Sequence, residues 1–237
     1  MTRLFYDLET TALEVENARI IQICVYEPES EKSYDTLINP GESITNSDIH
    51  NINDEMVKFC FKIDTAIPIF EKFVNQFENP ILIAHNNFRY DKPVLEYEYE
   101  RCNKKIPEHW KFFDSLPIAQ SGVKELPYGN HSLKHLYEHF TNKELMGHHS
   151  AINDVKALSE VFTYVMECYK KNSPQLYSCL FDRRCRTSKF YENTANMPVV
   201  CIDRVGDHTD KFMFFNNINT VSDLIKIYNS DKKIFDK

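Results

Sequence analysis

The sequence predicts an α/β fold, a mixed five-stranded sheet flanked by helices with a small C-terminal extension. Three observations predict it. Three strand-like segments crowd the N-terminus, helices and strands alternate after them, and the run Ile81-Leu82-Ile83-Ala84 is too short and apolar for anything but a central strand.

Leu4-Phe5-Tyr6 reads as the first strand, Arg19 to Tyr26 as the second and Lys32 to Ile38 as the third, with links short enough for an antiparallel meander. Asn39-Pro40-Gly41-Glu42 then stops the sheet. Thr65 to Phe77 places Ile67, Phe70, Phe73, Val74 and Phe77 at helical spacing. Beyond the central strand come a helix through Val94, Tyr97 and Glu98, a strand from Trp110 to Phe113, a helix from Ser132 to Phe140 and a long helix from Ser150 to about Tyr169. Asn172-Ser173-Pro174 marks a change of pattern, so the main domain is expected over residues 1–172 and an extension of unknown fold over 175–237.

A length of 237 residues with 42% hydrophobic residues supports one sizeable core with some chain left over. No apolar run is long enough to span a bilayer, and the N-terminus opens into L-F-Y-D-L-E without a basic stretch or cleavage site. An intracellular protein, in cytoplasm or nucleus and without a membrane partner, is expected. Seven scattered cysteines with no C-x-x-C pair do not form a secreted disulfide framework. The net charge of −7 at first argues against a nucleic-acid partner. Residues 175–237 hold 10 Lys and Arg against 8 Asp and Glu, however, so the acidity sits in the main domain. A site that collects carboxylates to hold divalent cations produces this distribution.

Three constellations lie at element ends. Asp7 and Glu9 are two apart on an extended strand, so their carboxylates share a face and repel unless a cation lies between them, although a solvated edge strand ending in a turn is an alternative that D-x-E alone does not set aside. Asp91 follows the central strand, where ligands of α/β sheets bind, although an N-cap role before Pro93 is an alternative. His149 and Asp154 open the long helix, where a polar loop and a surface ion pair are the alternatives. Together they suit phosphodiester hydrolysis with two divalent ions, for which hard carboxylate oxygens are the fitting ligands and a neutral imidazole the fitting proton acceptor.

The set resembles the DEDDh exonucleases of the ribonuclease H-like superfamily over residues 3–165. Asp7 and Glu9 match the first motif, Asp91 the second, and His149 with Asp154 the third, H-x-A-x-x-D. The middle stretch A-H-N-N-F-R-Y-D-K-P-V-L is similar to the three-prime repair branch. Ile49 to Val57 and Phe113-Asp114-Ser115-Leu116 resemble further family segments, with Asp114 read as structural. Ala12 departs from the glycine frequent there.

The resemblance implies a 3′–5′ exonuclease that releases 5′-mononucleotides, with two Mg²⁺ as cofactors and Mn²⁺ able to substitute. It implies that Asp7 bridges both metals, that Glu9 and Asp154 complete the nucleophile side, that Asp91 holds the leaving-group side and that His149 is the general base. Leu8, Thr10, Thr11, His85 and Asn86 would neighbour the terminal nucleotide. Single-stranded DNA 3′ ends are the expected partner, with trimming of RNA and a silent nucleic-acid-binding protein as rival readings, and a homodimer left open. In the extension, zinc held by Cys179, Cys185, Cys201 and His208 is an alternative to plain thiols, although their spacing fits no familiar zinc pattern. Arg183, Arg184, Arg186, Lys189, Phe190 and Tyr191 read equally as a strand-tracking patch or a solvated basic face, ahead of an expected strand from Val199 to Ile202.

Overall fold

The computed structural model describes residues 1–127, 130–147, 150–172 and 174. Strands β1 (Thr2–Thr10), β2 (Ile20–Glu27), β3 (Lys32–Leu37), β4 (Pro80–Ala84) and β5 (Lys111–Asp114) form one sheet in the order β3-β2-β1-β4-β5. The first three make the expected antiparallel meander. β4 and β5 join it in parallel. This is the mixed, helix-flanked sheet of the ribonuclease H-like class.

β1 runs further than its apolar segment predicts. Polar Asp7, Glu9 and Thr10 remain in the strand because β2 pairs with them, Asp7 opposite Cys24 and Glu9 opposite Gln22. A register shift between Glu9 and Thr10 ends the regular pairing.

One face of the sheet carries Leu4, Tyr6, Leu8, Ile23, Val25 and Leu82, all buried. Against it pack α3 (Ile63–Val74), through Ile67, Phe70 and Val74, and α4 (Asp91–Arg101), through Val94, Leu95 and Tyr99. Helix α3 starts and stops earlier than its apolar spacing implies. The opposite face carries Phe5, whose ring meets Phe162 edge-on at 5.4 Å; Phe113 of β5 meets the same ring at 5.7 Å. Phe162 belongs to the long helix α7 (Ala151–Asn172), which therefore covers β1, β4 and β5 on that side.

Three helices have no periodic signal in the sequence. α1 (Ser47–His50) and α2 (Asp54–Val57) are single turns set by asparagines at their ends. Asn51 closes α1 in a left-handed conformation (φ 59°), which asparagine tolerates, and Asn53 opens α2 by accepting the Met56 N–H at 3.2 Å. His50 is buried and accepts the Ile52 N–H through Nδ1. α5 (Ser115–Gly122) continues directly from β5. α6 (Leu133–Thr141) starts one residue later than expected, with Ser132 as its cap, whose hydroxyl accepts the His135 N–H.

The chain divides into two compact units, residues 1–120 with 125–165, and residues 121–124 with 166 onward. In the second unit Gly122 lies against the Tyr169 backbone so closely that a Cβ there would sit 2.7 Å from the Tyr169 nitrogen. Asn172 donates to the Gly122 carbonyl at 2.7 Å. The expected features of residues 175–237, including the zinc candidates, the basic aromatic stretch and the strand from Val199 to Ile202, lie outside the described residues. Among the described residues no helix is long and apolar enough to cross a membrane.

Candidate active site

β1 delivers Asp7 and Glu9 to the α7 side of the sheet, two residues apart as the strand's period requires. α7 brings Asp154 to them from its first turn. One carboxylate oxygen from each of Asp7, Glu9 and Asp154 lies within 4.8 Å of the others. Glu9 and Asp154 are buried and Asp7 half-buried. Desolvation, followed by the charges of Asp154 and Asp91, pushes the Glu9 carboxyl up to about 8. Asp7 is likewise held well above the usual carboxylate range, by burial and then by Asp91, Glu9 and Asp154. Like charges this close lower one another's ionisation unless a cation compensates them. Three convergent hard oxygens of this kind fit a divalent cation.

Asp91 stands apart from that trio but acts on it electrostatically. It is the first residue of α4 and follows the N-cap Tyr90 rather than serving as the cap itself. Its buried carboxyl is raised to about 8 by desolvation, and the Leu8 N–H holds it by a hydrogen bond. β1 outruns β4 at this end, and that leaves the Leu8 N–H available to Asp91.

The loop from Asn86 to Tyr90 is fastened from below by a group read only as structural. Asp114, at the end of β5, accepts N–H bonds from Asn86, Phe88 and Leu116, each at 3.0 Å. Beside it the fully buried Asn87 accepts the Tyr6 hydroxyl and donates to the Phe113 carbonyl at 2.8 Å. Nothing in the sequence pairs Tyr6 with Asn87. Asn86 itself adopts φ 70°.

The expected neighbours of the terminal nucleotide divide into two groups. Leu8 is buried and faces the α4 side, although its N–H serves Asp91. The ring nitrogens of His85 are both engaged, Nδ1 with the Ser115 hydroxyl at 2.9 Å and Nε2 with the His131 carbonyl at 2.8 Å. Burial holds His85 down to about 4, so the ring is neutral at pH 7. The Thr10 hydroxyl pairs with that of Tyr90, which donates to the Ala12 carbonyl at 2.6 Å. The Thr11 hydroxyl donates to Glu42 at 3.0 Å and accepts the Arg19 N–H at 3.1 Å. Of these five residues, Asn86 alone keeps a buried side-chain oxygen, Oδ1, with no protein partner. His149 and its neighbour His148 lie outside the described residues.

One buried network escapes sequence reasoning. Glu98 of α4 accepts from Arg19 Nε at 2.8 Å and from the Ile20 N–H at 3.2 Å, and it pairs with Arg101 at 3.3 Å. Arg101 in turn donates to the carbonyls of Ala18 and Glu16, both at 2.8 Å. The loop after the first carboxylate pair is thereby tied to α4. Only the helical spacing of Glu98 and Arg101 hints at this network.

A ribonuclease H-like sheet with acidic side chains converging on one face of its central strand defines a class of nucleic-acid hydrolases. The chain belongs to the RNase_T exonuclease family, whose model matches residues 4–162. It is 35% identical over 176 residues to exonuclease DPD1, chloroplastic/mitochondrial, of Arabidopsis thaliana, covering 68% of this chain and 55% of that protein. It is 28% identical over 129 residues to three prime repair exonuclease 2 of Mus musculus, covering 50% of this chain and 55% of that protein. The chain thus spans about half the length of these relatives. Its fold is shared with E. coli exonuclease I, solved in complex with a dT13 oligonucleotide, at a TM-score of 0.63 and 17% identity over 81% of this chain and 45% of the other.

Proposed function

We propose that residues 1–172 form a DEDDh-type 3′–5′ exonuclease domain that releases 5′-mononucleotides from single-stranded DNA ends, with two Mg²⁺ as cofactors and Mn²⁺ as substitute. One observation carries the reading: carboxylate oxygens of Asp7, Glu9 and Asp154 converge within 4.8 Å, with Glu9 raised to about 8. Residues arranged for stability alone avoid such crowding. The 35% identity to an exonuclease over 68% of the chain supports the same reading.

Asp7, Glu9 and Asp154 would hold one ion, with Asp7 shared with a second ion held by Asp91. When bound, the ions supply positive charge to the phosphate and a nucleophile at neutral pH. The chain's own residues do the rest. The Leu8 N–H fixes Asp91 against β1. Asp114 and Asn87 hold the loop that delivers Asp91. Asn86 Oδ1 is buried without a protein partner, and the hydroxyls of Thr10 and Thr11 and the ring of His85 are held by the contacts described above. His149 would accept the proton of the attacking water.

The 3′–5′ polarity rests on the likeness to the DEDDh exonucleases, and a site that admits only a strand terminus would require the leaving nucleotide to be unpaired. The preference for DNA over RNA rests on likeness to the three-prime repair branch. Labelled DNA and RNA oligomers incubated with Mg²⁺, Mn²⁺ or EDTA and resolved on a gel test all of this together. A metal-dependent ladder ending in 5′-mononucleotides, slowed by a 3′-phosphate and indifferent to a 5′ block, is expected. Internal cutting of a circular single strand would overturn the exonuclease reading, and RNA cut as fast as DNA would overturn the DNA preference.

A further inference from the structure

The short stretch after α2 holds two large aromatics in water, Phe59 at 92% exposure and Phe61 at 60%. The backbone beneath them is fixed. Asn39 donates its N–H to the Phe61 carbonyl at 2.9 Å and its side-chain amide to the Lys58 carbonyl at 3.1 Å. Val57, just before them, is buried in a small core with Ile21 and Ile52, against which Leu37 packs. The two rings therefore stand on an anchored segment, displayed rather than loosely collapsed. Lys58 and Lys62 are exposed beside them, and Lys58 Nζ lies 5.6 Å from the Phe59 ring centroid while also 3.7 Å from Glu55.

The position of this segment follows from the sheet register. Residues directly opposite in antiparallel strands share a face. Leu37 lies opposite Gln22, and Gln22 opposite Glu9. The small core holding Val57 is therefore on the carboxylate face, over β2 and β3. α7 covers β1, β4 and β5 on that same face through Phe162. The strip of β1 that carries Asp7 and Glu9 runs between the two. The loop between β3 and α1 meets the near end of that strip, where Asn46 donates to the Thr10 carbonyl at 2.9 Å and Glu42 accepts from Thr11, and Asn39 at the start of the same loop holds the Phe59–Phe61 segment.

We infer that Phe59 and Phe61, flanked by Lys58 and Lys62, are a stacking platform for the single strand on the 5′ side of the nucleotide being removed. The inference rests on the exonuclease reading above and specifies where the rest of the strand lies. Exposed aromatic faces accept any base, and adjacent ammonium groups meet the phosphates between stacked bases. This complementarity selects a nucleic acid over a protein partner, whose interface core is depleted of charge.

The test compares two substrates. The p-nitrophenyl ester of thymidine 5′-monophosphate occupies the terminal pocket alone, and a 12-nucleotide single strand reaches the platform. The double variant Phe59→Ala/Phe61→Ala should raise KM for the 12-mer roughly five-fold or more and leave ester hydrolysis unchanged. Both side chains are exposed, so its melting temperature should match that of the parent. Lys58→Ala/Lys62→Ala should flatten the salt dependence of 12-mer binding by roughly 0.7 in log–log slope for each phosphate that is no longer neutralised. A separate reporter is Phe59→Trp, read against the one native tryptophan, Trp110, which is buried. Fluorescence quenching when oligo(dT) is added in EDTA supports the platform. An unchanged 12-mer KM in the double variant, or unquenched Phe59→Trp fluorescence at saturating oligo(dT), overturns it. Should the parent protein hydrolyse neither substrate, the exonuclease reading fails, and the quenching decides the platform by itself.

Discussion

Buried acidic side chains are treated in two opposite ways in this domain. Asp114 and Glu98 are surrounded by donors from the chain itself, three backbone N–H groups for the first and two arginines with one N–H for the second. Asp7, Glu9 and Asp154 instead face one another. The first arrangement meets its carboxylates with donors of the chain and holds loops in place, although Glu98 Oε2 stays buried without a donor. The second brings like charges together, an arrangement that a divalent cation would relieve, and the two meet at Asp91, which the charge of Asp114 also reaches. The difference teaches that burial of a carboxylate does not by itself mark a site; the identity of its neighbours does.

The largest expected effect breaks the second arrangement. Asp7→Ala or Asp154→Ala should lower nuclease activity by orders of magnitude while the melting temperature of the metal-free protein stays level or rises, since repulsion is relieved. Near-normal turnover by Asp154→Ala would remove the assigned role. His149→Ala should come next, with a loss of about 10²–10⁴ in rate. The parent's rate should climb with pH through the histidine range of about 5 to 8, and the variant should lose that limb. An unaltered pH–rate profile would move the proton acceptor elsewhere.

Asp114→Asn probes the internally satisfied arrangement. An amide keeps one acceptor oxygen, so at least one of the three N–H bonds loses its partner, at a cost of about 1–3 kcal/mol. Thermal unfolding should show destabilisation, the reverse of Asp154→Ala, together with weakened activity as Asp91 loses its support. Equal signs for the two variants would erase the distinction.

A pH effect sharpens it. Glu9 and Asp91, ordinarily at 4.5 and 3.8, are both raised to about 8 in the fold. Between those limits the folded chain holds protons that the unfolded chain has released. Metal-free stability is therefore complete below about pH 4 and is lost progressively as pH rises to about 8. Melting curves in EDTA should fall across that window, and saturating Mg²⁺ should flatten the decline. A melting temperature that rises with pH in EDTA would locate the stress elsewhere.

Much of this is legible in the chain. The i, i+2 spacing puts Asp7 and Glu9 on one face because strand geometry is local, and the apolar run 81–84 marks β4 because only a doubly covered strand is that uniform. What stays hidden depends on contacts distant in sequence. Arg19 and Glu98 meet only after α4 packs on the sheet, and Tyr6 finds Asn87 only at the end of β4. The single turns α1 and α2 are too short for periodicity and rest on asparagines at their ends. Thr10 and Thr11 stand beside the acidic pair as expected, yet their hydroxyls turn toward Tyr90, Glu42 and Arg19, a choice that tertiary structure alone reveals.

The pairing of β1 with β4 in parallel, rather than through a tight turn, sets an order of assembly. β1 can zip with β2 as soon as the first hairpin exists, but its other edge must wait for Pro80–Ala84, and Asp154 comes only with α7. Until α7 docks, Asp7 and Glu9 sit in a half-built sheet, where water still screens them. Contacts so distant in sequence form slowly because long loops must close first. When α7 docks, it brings another negative charge to the acidic pair. Divalent cations present during refolding should therefore speed the docking of α7 more than the formation of the hairpin.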